Sequence, residues 1–171
     1  MNIVLIANII SFIGCVLLVL IGFIKSKRNI LLAQNGMFVI LGIAYLLLGG
    51  IGAVISNIIS FVRNTICLKW DLNWPLKIIF VVIQGALTVY TNDAGLIGYL
   101  PFISAGIYTL TIDIKDEVKL KSILILTQLC WVIYDFIFKN YSAFTFDILT
   151  CISTFIGIIM ILRDRKNISE I

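Results

Sequence analysis

Amide, carboxyl and aromatic side chains stand inside long apolar runs of this sequence, where they can bind a small polar molecule. Asn57, Gln84 and Asp147 each lie away from the ends of such runs, and Trp131 and Tyr134 lie in another. Polar groups in an apolar environment are costly unless they find partners, so they face other segments or a wet cavity. We expect these five residues to contact a substrate. Hydrogen bonding or packing between helices is the alternative for each.

A second set of polar residues lies nearer the ends of the apolar runs. Arg63 and Asn64 come close to the end of one run, and Gln34 and Gln128 occupy similar depths in two others. The long arginine stem can lie in apolar surroundings while its head reaches the lipid headgroups. The other hypothesis is that Arg63 forms an inner gate, or a clamp for an anionic substrate, together with these amides.

Two carboxylates need an explanation of their own. Asp135 and Lys139 are four residues apart, so they share a helix face and can pair. The pair is interpreted as an interfacial ion pair or as part of an extracellular mouth. Asp147 has no cation within four residues on its own helix, so it either pairs across helices, for example with Lys139, or forms a substrate or proton site.

The composition places these residues in a membrane. Hydrophobic residues make up 61% of the 171, with a mean hydropathy of +1.11, against about half in a soluble domain. Such an excess cannot be hidden in a core of this size, so the lipid bilayer is an expected partner. There is no histidine, and the four cysteines form no C-x-x-C pair. With no Walker or G-x-G-x-x-G motif either, we expect no enzyme, cofactor, metal site or nucleic-acid surface.

Seven apolar runs are long enough, or nearly so, to cross a membrane. The fourth begins just after Trp74-Pro75 and is short. The predicted spans are Ile3–Ile24, Ile30–Leu48, Ile51–Cys67, Leu76–Tyr90, Leu96–Ile112, Ile123–Phe138 and Ala143–Leu162. The sequence therefore predicts an all-α polytopic membrane protein with seven transmembrane helices in a single membrane domain.

The distribution of charge supports an odd number of spans. If alternate loops lie on opposite sides, every lysine and arginine except Lys139 falls on one side. Loops rich in Lys and Arg stay in the cytoplasm. We therefore expect the N-terminus outside and the C-terminus inside the cell.

The chain also reads as two similar halves either side of the fourth span. A shift of 94 residues aligns Gln34 with Gln128 and Phe61 with Phe155, and it places Asn57 opposite Cys151. An odd central helix makes the halves run in the same direction, which is a known transporter plan with its site at the repeat interface. The predicted parts are a first triple-helix bundle at 3–67, a linker helix at 74–91, a second bundle at 95–162 and a cytoplasmic tail at 163–171.

Four segments resemble a known family. They are SNIISFVRN, GLIGYLP, WVIYD and FDILTCISTFIGIIMILRDR, and they begin at Ser56, Gly95, Trp131 and Phe146. These segments are similar to the YgjV family of small bacterial inner-membrane proteins, which looks distantly like the SWEET and PQ-loop transporters. The resemblance implies the same three-plus-one-plus-three plan, a location in the bacterial inner membrane and a solute pathway between the triplets. SWEET-like proteins use an asparagine on the helix of Asn57.

The function predicted from these observations is facilitated transport of a small solute, a sugar or another small polar metabolite. The site would lie between the two helix triplets. A binding or receptor module with the same fold and no transport is one alternative, and lipid handling is another. The lipid alternative predicts a lateral opening lined by Arg63 and the inner lysines. The sequence leaves self-association into a homo-oligomer open.

Overall fold

The computed structural model describes residues 2–21, 27–70, 72–111, 114 and 116–169. These residues form seven α-helices and one short 3-10 helix, Gly95–Tyr99, and they contain no strand. The α-helices are α1 (Ile3–Ile21), α2 (Lys27–Leu47), α3 (Ile51–Cys67), α4 (Trp74–Thr91), α5 (Leu100–Thr111), α6 (Glu117–Ile137) and α7 (Tyr141–Ser169). The prediction of an all-helical chain with seven helices is confirmed.

The helix boundaries differ most clearly from the predicted spans at α5 and α7. The fifth helix starts late, because Gly95–Tyr99 forms a 3-10 helix before α5. Pro101 lies in the first turn of α5, where its missing N–H costs nothing. Helix α7 runs past Leu162 to Ser169, into the segment predicted as a tail. The predicted ends Ile24 and Ile112 lie outside the described residues.

Two of the described helices are long and apolar enough to cross a membrane by length and composition, namely Trp74–Thr91 and Tyr141–Arg163. Shorter apolar helices are Ile3–Leu18, Leu31–Leu47, Ile51–Cys67 and Gly95–Thr111. The outer surface is apolar, since Leu5, Ile9 and Phe12 of α1 and Phe155 of α7 are each more than half exposed. Buried polar residues outnumber buried apolar ones in the part of the chain that is described. This distribution is the reverse of that in a soluble protein and suits a lipid environment.

The helices pack as a ring. Helix α1 packs against α2, α2 against α3, α3 against α5, α5 against α6, α6 against α7, and α7 against α1. Helix α4 lies outside this ring, in contact with both α3 and α5. The odd helix predicted from Trp74-Pro75 is therefore the one that covers the seam between α3 and α5.

Two tight turns have the same hydrogen bonds. In the α2–α3 turn, Gly50 N donates to Tyr45 O, and in the α6–α7 turn Asn140 N donates to Asp135 O. Gly49 and Lys139 both adopt a positive φ, of 75° and 58°. This geometry ends helices in the left-handed conformation. The two turns therefore correspond residue by residue.

The turns align the halves with an offset different from the predicted one. Lys139 follows Gly49 by 90 residues, and with this offset Asn57 corresponds to Asp147 rather than to Cys151. The predicted shift of 94 is four residues longer, about one helical turn, so it preserves the pattern of apolar faces. For this reason an alignment based on apolar residues alone does not distinguish the two offsets.

Side-chain contacts close the ring at two of its joins. Asn8 of α1 donates to the carbonyl of Lys139 at 2.9 Å and accepts from Ser142 N at 2.9 Å, which fastens α1 to the α6–α7 turn. At the other end of α6, Asp116 accepts from Lys119 N and lies 3.4 Å from Arg165 of α7. The N–H of Lys119, with a smaller effect of the Arg165 guanidinium, holds the pKa of the Asp116 carboxyl below its usual range.

Replacing Lys139 by glycine tests the strain in the α6–α7 turn. A left-handed residue other than glycine costs about 1–2 kcal/mol, part of which glycine offsets through its greater freedom in the unfolded chain. We expect Lys139→Gly to raise the free energy of unfolding in detergent by roughly 0.5–1 kcal/mol. The matched control is Gly49→Ala, whose added methyl meets nothing within 4 Å and so reports backbone strain alone. It should destabilise the protein. A loss of stability in Lys139→Gly would show that the lysine side chain matters more than its backbone.

Candidate functional site

A polar cavity of about 190 Å³ lies between α2, α3, α5 and α6. We call it the central cavity. Its aromatic walls are Tyr108 and Trp131, and its polar lining includes Gln34, Asn57, Ser60, Arg63, Thr127 and Gln128. The spacing of Ser56, Ser60 and Arg63 places all three on one face of α3, so this pattern in the sequence could have identified the wall.

A second cavity of about 110 Å³ adjoins the first. We call it the Asp147 cavity, because that carboxyl is part of its lining. The two cavities share Met37, Phe38, Asn57, Gln128 and Trp131. Asn57 is 4% exposed, and its Nδ2 has no hydrogen-bond partner in the described structure. An amide donor is thus available to whatever occupies these cavities.

Arg63 turns into the bundle, toward the central cavity. Its side chain is 2% exposed, so the predicted snorkelling to the headgroups is wrong. Nη1 donates to Thr109 Oγ1 at 2.9 Å, and Nε and Nη2 donate to Asn64 Oδ1 at 3.3 and 3.1 Å. The guanidinium also lies 5.3 Å from the centre of the Tyr108 ring, within range of a cation–π interaction.

The hydrogen bonds continue from Asn64 to the next helix. Asn64 Nδ2 donates to Gln34 Oε1 at 2.9 Å, so α2 fixes the amide that holds the guanidinium. These partners are all neutral, and no carboxylate in the described residues pairs with Arg63. The structure therefore brings Arg63, Asn64 and Gln34 together, as the gate or clamp hypothesis required. A buried cation without a counterion is costly, and an anionic ligand would offset that cost.

Gln84 has a different place from the one predicted. It is 2% exposed and does not line either cavity. Its Nε2 donates to Ser56 Oγ at 3.0 Å, and Ser56 Oγ donates to the carbonyl of Pro101 at 3.1 Å. The side chain therefore joins α4 to α3 and α5 rather than contacting a substrate directly.

The two aromatic residues of the predicted site, Trp131 and Tyr134, lie in different surroundings. Trp131 lines both cavities. Tyr134 is fully buried, packs with Tyr45 and Ala53, and accepts a hydrogen bond from Ala53 N at 3.3 Å. The prediction that Tyr134 contacts substrate is therefore wrong for this structure, because its hydroxyl points at the start of α3.

Asp135 and Asp147 meet between α6 and α7. Asp147 Oδ1 accepts a hydrogen bond from Gln128 Nε2, and the two carboxyl groups are close enough to interact. Asp135 is fully buried, and the Tyr45 hydroxyl reaches its carboxyl without making a hydrogen bond of ordinary geometry. Tyr45 is a member of this cluster that the sequence analysis missed.

The predicted ion pair between Asp135 and Lys139 does not form, and neither does one between Asp147 and Lys139. Helix α6 ends at Ile137, and Lys139 sits in the turn with a positive φ. Its side chain therefore leaves the helix face that the spacing of four residues assumed. Lys139 is exposed, whereas Asp135 points into the bundle.

An apolar groove of about 300 Å³ runs between α2 and α3. It includes Val39, Ile43 and Ile58, which are about half exposed, and it shares Phe38 and Asn57 with the central cavity. The lateral opening predicted by the lipid hypothesis therefore has a counterpart. Arg63 is not part of its lining.

The model of one protein family, described as a bacterial inner membrane protein, matches residues 5–165. The chain belongs to the Imp-YgjV family. The resemblance predicted from the four segments is confirmed, and the family description supports a location in the bacterial inner membrane. A search of curated proteins and a search of solved structures each returned no match.

Ser56→Ala tests the seam between α3, α4 and α5. The substitution removes the acceptor of Gln84 and the donor to Pro101, which leaves a buried amide unsatisfied. We expect the free energy of unfolding to fall by roughly 1–3 kcal/mol. Ser60→Ala, one turn further along the same cavity wall, is the control and should change it by less than about 0.5 kcal/mol. Denaturant unfolding in detergent measures both, and equal effects would contradict a specific role for Ser56.

Proposed function

We propose that this chain is a non-enzymatic carrier of a small polar solute that has an acidic group. The central cavity is the solute site, and Arg63 is its anion-binding residue. One observation carries the proposal: a guanidinium that is 2% exposed lines a polar cavity without a carboxylate partner in the described residues.

The arrangement in the membrane is part of the same proposal. All seven helices span the bilayer, with the N-terminus outside, because every Lys and Arg except Lys139 then lies on the cytoplasmic side. Helices α1–α3 and α5–α7 form two parallel repeats. The helix contacts support this, since exchanging α1–α3 with α5–α7 turns each neighbouring pair of the ring into another neighbouring pair. The matched turns at Gly49 and Lys139 support it as well.

The cavity lies where a transporter built from two repeats would bind its solute. Its walls come from α2 and α3 of one repeat and α5 and α6 of the other. A relative motion of the two groups would therefore reshape it, as in transporters built from repeats. In this account α4, fastened through Gln84 and Ser56, keeps the α3–α5 seam closed.

The lining of the cavity indicates the class of solute. At about 190 Å³ the cavity is below the usual range for drug-sized ligands, so a small metabolite fits better than a large one. Arg63 favours a carboxylate or phosphate group because guanidinium binds such groups with directed hydrogen bonds. Asn57 Nδ2 and the Trp131 face would hold the rest of the solute.

Lipid handling is the second candidate, because the apolar groove between α2 and α3 meets the central cavity at Phe38 and Asn57. An acyl chain in that groove would leave its headgroup near Asn57. Apart from this asparagine, the lining of the groove has no polar side chain that could bind a lipid headgroup. We therefore prefer transport of a soluble metabolite.

A binding panel tests the role of Arg63. Purified protein in detergent is heated with millimolar carboxylates, phosphates, sugars and amino acids, and with an anionic phospholipid. We expect an acidic solute to raise the melting temperature and to be taken up by proteoliposomes. Arg63→Met should abolish both effects. Its own stability should change by less than about 2 kcal/mol, since relief of the buried charge offsets the orphaned Asn64 oxygen.

Arg163→Met is the matched control, because Arg163 is an exposed arginine of α7, and α7 does not line the central cavity. It should retain the wild-type response. Stabilisation only by neutral sugars, or by an acidic solute equally in Arg63→Met, would overturn the anion-binding role. Stabilisation only by the phospholipid would favour lipid handling.

A further inference from the structure

The carboxyl groups of Asp135 and Asp147 form a second site beside the central cavity. Asp135 lies in the last turn of α6 and Asp147 in the second turn of α7. The two groups are close enough to interact, and of their four oxygens only Asp147 Oδ1 receives a hydrogen bond in the described structure. Asp135 is fully buried and both its oxygens are unpartnered, so this is more than a surface cluster of acids.

In the part of the chain that the structure describes, the groups around the pair supply no positive charge. The titratable side chains that face it are Cys15 of α1, Tyr45 of α2, Tyr134 of α6 and Cys151 of α7. All four are neutral when protonated. Lys139 is the cation nearest to Asp135 in sequence, and it is exposed and makes no ion pair with either carboxyl.

Two adjacent carboxylates cannot both remain charged in such surroundings. Each charge is costly in an apolar interior, and the repulsion between them adds to that cost. One proton shared between the groups removes both the second charge and the repulsion, as in other buried carboxyl pairs. Gln128 Nε2, which donates to Asp147, then stabilises the single negative charge that remains.

We propose that Asp135 and Asp147 form a proton-binding site that holds one proton between the two carboxyl groups and exchanges it through the Asp147 cavity. Asp147 and Gln128 both line that cavity, so the proton can enter and leave through the cavity that adjoins the solute site. When the proton leaves, its bonding electrons stay on the carboxyl oxygen, and the pair carries two negative charges.

The coupling of this proton to transport rests on the proposed function. Gln128 and Asn57 line both cavities, so a solute in the central cavity lies next to the pair. An anionic solute is repelled by the doubly charged pair and less so by the singly charged one. Proton and solute therefore bind cooperatively, and the carrier moves them in the same direction. By linkage, the solute also tightens proton binding by the same factor.

A sodium ion is the competing occupant. Hard cations take several oxygen ligands at once, typically six or more for calcium. The pair offers three unpartnered oxygens, and the neighbouring backbone carbonyls are committed within α6 and α7. Within the described residues there is also no group of three or more acidic, cysteine or histidine side chains that could hold a metal ion. A proton needs only two of these oxygens.

Infrared spectroscopy of the purified protein in lipid nanodiscs tests the site without any solute. We expect a band of a protonated carboxyl at neutral pH that shifts in D₂O. Asp135→Asn and Asp147→Asn should each shift its frequency, because the proton is then held by one carboxyl instead of being shared between two. Asp93→Asn, which removes an exposed carboxyl, should leave the band unchanged.

A measurement on the wild type alone covers the case in which a variant does not fold. An alkaline pH jump should release one proton per chain as the band disappears. Absence of the band at neutral pH, or a band of unchanged frequency in both variants, would overturn the proposal. Loss of the band on adding sodium at constant pH would identify a metal cation site instead and would overturn it too.

The coupling has a separate readout. With the acidic solute found in the binding panel, wild-type affinity should be about tenfold higher with the pair singly charged than doubly charged, within the usual range of coupling. In Asp147→Asn this dependence on pH should disappear. If the panel finds no solute, the carrier proposal fails while the infrared result still decides the proton site. A solute whose affinity is independent of pH would be compatible with the carrier proposal but would overturn the proposed coupling to the proton.

Discussion

Polar side chains in the interior of this helix bundle find hydrogen-bond partners mainly in one another, and the rest of the structure depends on that constraint. The outer surfaces are apolar, with residues such as Leu5 and Phe155 exposed, while amides, hydroxyls and charges fill the interior. In lipid an unpaired polar group costs several kcal/mol, since no water is at hand. Many of the interior polar groups are therefore paired across helices as part of the scaffold, and others line the cavities and are available to a ligand.

The scaffold uses the groups that are paired across helices. Ser56 and Gln84 hold α4 against the α3–α5 seam, and Asn8 holds α1 against the α6–α7 turn. The Asn64 and Gln34 amides fix the position of the Arg63 guanidinium. These bonds remove the freedom of the side chains nearest the cavities, and a preorganised site of this kind binds a ligand at a lower entropic cost.

The available groups lie on two helices that each follow one of the matched turns. Asn57 of α3 comes eight residues after Gly49, Asp147 of α7 comes eight residues after Lys139, and both line the Asp147 cavity. One helix therefore presents a neutral donor and the other an ionisable acid. In our proposals the two side chains have different roles, since Asn57 binds the solute and the acid pair binds the proton.

The sequence by itself determined that the chain is helical, that it has seven helices with the Trp74 helix apart from the rest, and that it belongs in the inner membrane. Apolar runs and glycine turns carry the helical pattern locally, and the four segments similar to the YgjV family carry the location. It also indicated Asn57, Arg63, Trp131 and Asp147 as residues near a cavity.

Only the tertiary structure decided which polar residues meet. It placed Gln84 and Tyr134 in the scaffold, turned Arg63 inward, and separated Asp135 from Lys139. It also placed the two matched turns 90 residues apart, four fewer than the predicted shift of 94. The reason is physical: spacing along a helix fixes the face on which a side chain lies, whereas its partner belongs to another helix. The rotation and depth of that helix come from packing the whole ring.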